Sequence, residues 1–177
     1  MELAATIFTG ILVITAIVGA YFAVRNLSVI REQNRRNTFL ALLTELAQPE
    51  TRANREKVYQ SLKIESDLNQ IALITGIIEH GRESGREDPE KTLQIAIEST
   101  ISCMDRIGFF LQHGGDEKLK EEAPDWIWDI TIDIWDRVGS YVSHIQKTKP
   151  SHGKYFRELA ELAKIKLPRK AEQVSTM

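Results

Sequence analysis

The sequence predicts an all-α protein: an N-terminal transmembrane helix continuing into a stalk, followed by an antiparallel helical bundle. Three observations predict it. Leu3 to Val24 contains 22 residues without a charged side chain. Beyond residue 88, apolar residues recur at alternating intervals of four and three, the spacing of a buried helical stripe. The one apolar run that also fits a strand, within 66–80, has no second run to pair with, so helix is preferred there as well. The expected organisation is an anchor at 1–24, a juxtamembrane stalk at 25–47, a cytoplasmic helical bundle at 48–167 and a disordered tail at 168–177.

The anchor comes first. At about 1.5 Å of rise per residue the run reaches about 33 Å, enough for a hydrocarbon core of about 30 Å. It lacks the basic leader and small-residue cleavage site of a signal peptide. Arg25, Arg31, Arg35 and Arg36 follow it against Glu32 alone. The positive-inside rule therefore puts the amino terminus outside and the rest in the cytoplasm of an inner-membrane, single-pass protein, with membrane lipid as a partner. A single cysteine, Cys103, is compatible with a reducing compartment. Thr15, Gly19 and Ala23 form a small-residue stripe through which two such helices can approach, so a homo-oligomer is expected.

The remaining chain has the length of one domain. A formal net charge of -2 and a pI of about 6.1 exclude the globally basic profile of a dedicated nucleic-acid binder. Charge is uneven along the sequence: Asp116 to Asp136 is acidic, and Lys147 to Lys170 is basic.

After the anchor, residues 25–47 contain neither Gly nor Pro, so the helix is expected to continue until apolar density returns at Phe39, Leu40, Leu42, Leu43 and Leu46. Pro49 suits the first turn of a second helix, which buries Val58, Tyr59 and Leu62. Leu68, Ile71, Ile74, Thr75 and Ile78 mark one face of a third, and the glycines and charges of 81–88 predict a mobile loop. Asp88-Pro89-Glu90 is a helix start: an N-cap, a proline at the first position, and an acid in the first turn. Leu93, Ile97, Thr100, Met104, Ile107 and Leu111 follow, with Gly114-Gly115 as the stop. Asp125 is expected to cap a long helix whose two adjoining seams, Ile127 to Ile145 and Trp128 to Val142, make it central, with Trp135 inside. Lys149 to Gly153 turns the chain into a closing helix at Tyr155, Phe156, Leu159, Leu162 and Ala163.

Several of these segments together resemble a prokaryotic family of uncharacterised activity that joins one N-terminal span to a cytoplasmic helical domain. The anchor and its arginine-rich stalk, Met104-Asp105-Arg106-Ile107-Gly108 with its acidic turn, the Trp135 helix and Tyr155-Phe156-Arg157-Glu158-Leu159 carry the resemblance. It covers most of the chain and implies the fold and placement above, but no activity.

Three constellations invite a chemical reading. Asp125, Asp129, Asp133 and Asp136 share one helix face, an acidic surface for a basic partner protein or a solvated side balanced by the basic closing helix. Arg106 with His113, and Arg137 with His144, lie two helical turns apart. These pairs resemble the R-x4-6-H pattern of the RNA-cleaving HEPN superfamily, and with the anchor they are similar to small membrane accessory proteins of RNA-targeting CRISPR systems. That resemblance implies Arg and His acting on phosphate charge and protons. No phosphate loop, nucleophile elbow, metal-ligand spacing or cofactor motif is present, so no metal and no cofactor is implied and no residue set compels a reaction. The sequence therefore favours a membrane-anchored, non-enzymatic helical scaffold or protein-interaction module that self-associates and does not take nucleic acid as a partner; the alternative is a membrane-tethered HEPN-like ribonuclease or pore-forming defence effector.

Overall fold

A computed structural model describes residues 2–64, 67–85, 88–114 and 117–174, with the side chains of 2–14, 117–119 and 168–174 outside the description. Among these residues the protein is all-helical. The elements are α1 (Glu2–Ala47), α2 (Pro49–Ser61), α3 (Asp67–Glu83), α4 (Pro89–Phe109), a π-helical turn (Phe110–Gly114), α5 (Glu117–Glu122), α6 (Asp125–Gln146) and α7 (Lys154–Val174). The segment that also fitted a strand is thus helix, in α3. The chain divides into two compact units, Met1–Thr38 and Phe39–Met177. The expected disordered tail falls largely on residues whose side chains or backbone are outside the description.

Among the described residues no helix is long and apolar enough to cross a membrane. This corrects the expected placement as a single-pass inner-membrane protein with its amino terminus outside and its helical domain in the cytoplasm. The described part of the apolar run, Thr15 to Val24, rises about 15 Å, half of a hydrocarbon core. From Arg25 onward α1 carries charge. The earlier half of the run lies where side chains are not described.

In the first unit the side chains from Thr15 to Thr38 are all exposed. Ile17, Val18, Tyr21, Phe22 and Val24 spread over about 160° of the helix circumference. Local bonds are those of an exposed helix: Ser28 and Thr38 hydroxyls donate to the Arg25 and Asn34 carbonyls, and Arg36 pairs with Glu32 at 3.1 Å.

The second unit begins where apolar density returns. Phe39 and Leu46 are buried, whereas Leu40 is exposed. α4 packs against α2, α3 and α7, and α6 packs against α2, α3 and α7, so these two helices hold the core between them. Their four-three seams explain this. Ile97, Thr100, Met104 and Ile107 are buried along α4 and Leu111 in the π-turn after it, as are Ile127, Thr131, Ile134, Val138 and Tyr141 along α6. At about 25 cal/mol per Å² of apolar area, each large aliphatic side chain contributes about 1.5–3 kcal/mol. Trp128 is the largest fully buried side chain. Trp135, expected inside, is only half-buried: its indole lies against Gly139, where an added Cβ would sit 2.6 Å from the ring, and meets Phe156 edge-on at 5.1 Å.

Helix ends follow the sequence signals closely at one start and less closely elsewhere. Asp88 caps α4, its Oδ1 accepting from the Glu90 amide at 2.8 Å, with Pro89 next. In α6 the N-cap is Pro124, and Asp125 is the first helical residue. The expected loop at 81–88 starts later, because α3 continues to Glu83 with Gly81 buried against Gln94. α4 widens into the π-turn, which ends at Gly114; Gly115 of the expected stop lies outside the described residues.

α4 and the start of α7 approach each other closely at Gly108. An added Cβ at Gly108 would fall 2.1 Å from the Tyr155 carbonyl oxygen, so only glycine lets the backbones meet. One turn earlier, Asp105 Oδ1 accepts from the amides of Tyr155 and Phe156 at 2.8 and 3.0 Å. A carboxylate from α4 thus satisfies the orphan donors and dipole of the α7 amino terminus.

Candidate functional site

The two Arg/His pairs lie on α4 and α6, and the structure engages each member separately. Arg106 forms an ion pair with Glu45 near the end of α1. Its partner in sequence, His113, lies in the π-turn against the rings of Phe109 at 5.1 Å and Tyr155 at 5.2 Å. Phe109 and Tyr155 also touch each other, with centroids 5.0 Å apart. His113 is exposed, and its ring shares a cluster with Phe109 and Tyr155 rather than with Arg106.

Arg137 is half-buried. Its Nη1 donates to the Leu62 carbonyl oxygen at 2.7 Å, and its guanidinium lies 5.2 Å from the Tyr59 ring centre. It therefore ties α6 to the end of α2, where backbone carbonyls lack helical partners. Burial pushes the Tyr59 hydroxyl above its ordinary value; Arg55 and Arg137 oppose the shift and Asp133 adds to it. His144 is exposed and lines a different place, an open groove of about 260 Å³ with Asp67, Trp135, Ser140 and Lys147. Within that groove Ser140 Oγ donates to Asp67 Oδ1 at 2.6 Å. Neither Arg/His pair is joined by a hydrogen bond, and the arginine of each is committed to a structural contact.

On the acidic face, Asp125, Asp129, Asp133 and Asp136 are exposed. Among the described residues no group of three or more His, Cys, Asp or Glu side chains is placed to hold a metal ion. A hard cation requires oxygen ligands that converge from more than one element. Arg157 of α7 pairs within its own helix, with Glu161 at 3.2 Å. In the small-residue stripe of α1, Thr15, Gly19 and Ala23 are exposed, and a Cβ added at Gly19 meets nothing within 4 Å.

Two structural residues, Asp105 and Gln70, carry no role in the sequence reading, whereas Cys103 is expected in the core. The partner amides of Asp105 lie 50 and 51 residues away. Gln70 is buried; its Nε2 donates to the Asp136 carbonyl at 2.8 Å and its Oε1 accepts from the Ser140 amide at 3.3 Å. A signal for Gln70 exists, because it stands four residues before Ile74 and eight before Ile78 on one apolar stripe. Cys103 is buried, and desolvation pushes its thiol above the ordinary value, with Glu45 adding and Arg106 and Arg55 opposing, which makes it a core side chain rather than a nucleophile.

No protein-family model, curated protein or solved structure matches this chain.

Proposed function

We propose that this protein is a non-enzymatic helical scaffold that associates with copies of itself through the first unit, while the second unit presents a folded interaction surface. One observation carries the reading: every side chain described between Thr15 and Thr38 is exposed, including Ile17, Tyr21, Phe22, Val24, Leu27 and Ile30. Exposed apolar side chains in this number mark an association site. Covering one such side chain is worth about 1.5–3 kcal/mol, so covering several is of the same order as an association cost of about 4–15 kcal/mol.

The second unit supports the non-enzymatic part. Arg106, Arg137 and Asp105 hold helices together, and the groove beside His144 receives neither arginine. The reading also carries an antiparallel arrangement of the bundle helices, supported by the short connections at 84–88 between α3 and α4 and at 147–153 between α6 and α7.

Light scattering on the full chain in mild detergent tests the proposal against a chain beginning at Asn37. The full chain is expected to be a homo-oligomer and the shorter one a monomer. A monomeric full chain overturns self-association. Cleavage of added RNA that disappears on His144→Ala would overturn the non-enzymatic reading in favour of the HEPN-like one.

A further inference from the structure

The exposed helix of the first unit contains a continuous seam. Gly19, Ala23, Asn26, Ile30, Gln33 and Asn37 are separated by four, three, four, three and four residues. That alternation is the heptad spacing of helices that wind around each other. At about 100° per residue the six fall within a sector of about 80°. No charged residue enters it: Arg25, Arg31, Glu32, Arg35 and Arg36 all lie at least about 60° outside. All six seam residues are exposed, and the space beside Gly19 is open. The seam therefore extends well past the small-residue stripe, into the part of α1 that carries the charges.

We propose that two copies of the chain pair along this seam as a parallel, in-register, two-stranded coil, an inference that rests on the self-association reading above. The composition of the seam selects both the occupant and its direction. Gly19 and Ala23 facing their own counterparts let the backbones come close. Asn26, Gln33 and Asn37 are amides, each carrying donors and an acceptor, so each is complementary to its own copy across a two-fold axis. An amide at a seam position is also a recognised device for fixing register. The antiparallel overlay sets Asn26 against Ile30, Ala23 against Gln33 and Gly19 against Asn37. That arrangement places amides against apolar or absent side chains and leaves their hydrogen-bonding groups without partners. Parallel pairing also turns the arginines of both copies outward, where their mutual repulsion is screened.

Single cysteines placed in a Cys103→Ala background of the full chain test the seam, with mild oxidation in detergent and non-reducing electrophoresis as the readout. Asn26→Cys and Gln33→Cys are expected to become covalent dimers, and Arg35→Cys, on the far side of the helix, to remain without a cross-link. If Arg35→Cys links as readily as Gln33→Cys in an oligomeric protein, the seam is wrong while self-association stands. If Asn26→Cys links only to Ile30→Cys in a mixture of the two, the parallel register is wrong. Absence of any link together with monomeric light scattering removes the seam and self-association alike.

Discussion

From Phe39 onward the fold ties down Asp105, Arg106 and Arg137, whereas between Thr15 and Thr38 every described side chain is exposed, apolar ones included. In the second unit Arg137 holds the end of α2, Arg106 pairs with Glu45, and Asp105 holds the start of α7. In the first unit the ion pair Glu32–Arg36 and the hydroxyl bonds of Ser28 and Thr38 are all local to the helix. The difference separates two meanings of a conspicuous residue. A charge in a packed unit is spent on structure, while an apolar side chain in an unpacked one calls for a partner.

The largest effect that can break the comparison is in the core. Trp128→Ala is expected to cost the second unit about 3–5 kcal/mol, the range for truncating a buried aromatic side chain. Trp135→Ala should cost less, because that indole is already partly exposed. Urea unfolding of both variants, followed by circular dichroism, gives the order. Equal losses would mean that Trp135 is as deeply packed as Trp128.

A smaller effect concerns the helical glycine Gly108. Alanine normally stabilises an exposed helix position by about 1 kcal/mol relative to glycine. At Gly108 the new Cβ would collide with the backbone of Tyr155 at 2.1 and 2.6 Å, and backbone cannot swing aside as a long side chain can. Overpacking of that kind costs about 1–3 kcal/mol, so the clash outweighs the propensity and Gly108→Ala should destabilise. A melting temperature that rises instead would show that α7 can slide away from α4.

How much of this could be read in advance depended on range. The four-three seams of α4 and α6 and the Asp88-Pro89 start are local signals, and the structure places them as helices with those faces buried. The roles of Asp105 and Gly108 are not local: their partners enter the sequence about fifty residues later, and nothing in the spacing of Met104 to Gly108 points to Tyr155. The Arg/His pairs mislead for a related reason. Helical periodicity puts Arg137 and His144 on one side of α6, but the side chains part, Arg137 to the Leu62 carbonyl and His144 to the groove beside Asp67. The apolar run was legible as a helix and not as a membrane crossing, since among the described residues no helix has the length of apolar surface required.

Alkaline pH distinguishes the units more gently. Burial raises Cys103, Tyr59 and Tyr141 above their ordinary values of 9.0, 10.0 and 10.0. Their native forms hold protons that the unfolded chain releases at those ordinary values. The stability they contribute is therefore full below about pH 9 and falls as pH climbs through 9 and past 10. All three lie in the second unit. Its melting temperature should decline over that window, and a flat profile from pH 8 to 10.5 would mean that the three groups ionise as freely folded as unfolded.

The smallest expected effect on folding sharpens the comparison most. Gly19→Leu adds a side chain where nothing lies within 4 Å, and it lies outside the second unit. Leucine is also a better helix former than glycine, so the helical content of α1 should hold or rise. Urea unfolding of the second unit should be unchanged within error. The added bulk faces the proposed partner copy, however, and would force the two backbones apart at the point where Gly19 and Ala23 permit the closest approach. Association measured by light scattering should weaken while the folding of the second unit stays as it was. Should both stay the same, Gly19 does not face a partner, and the exposed apolar residues on the other sides of α1, Ile17, Tyr21 and Val24, would be where the helix is covered.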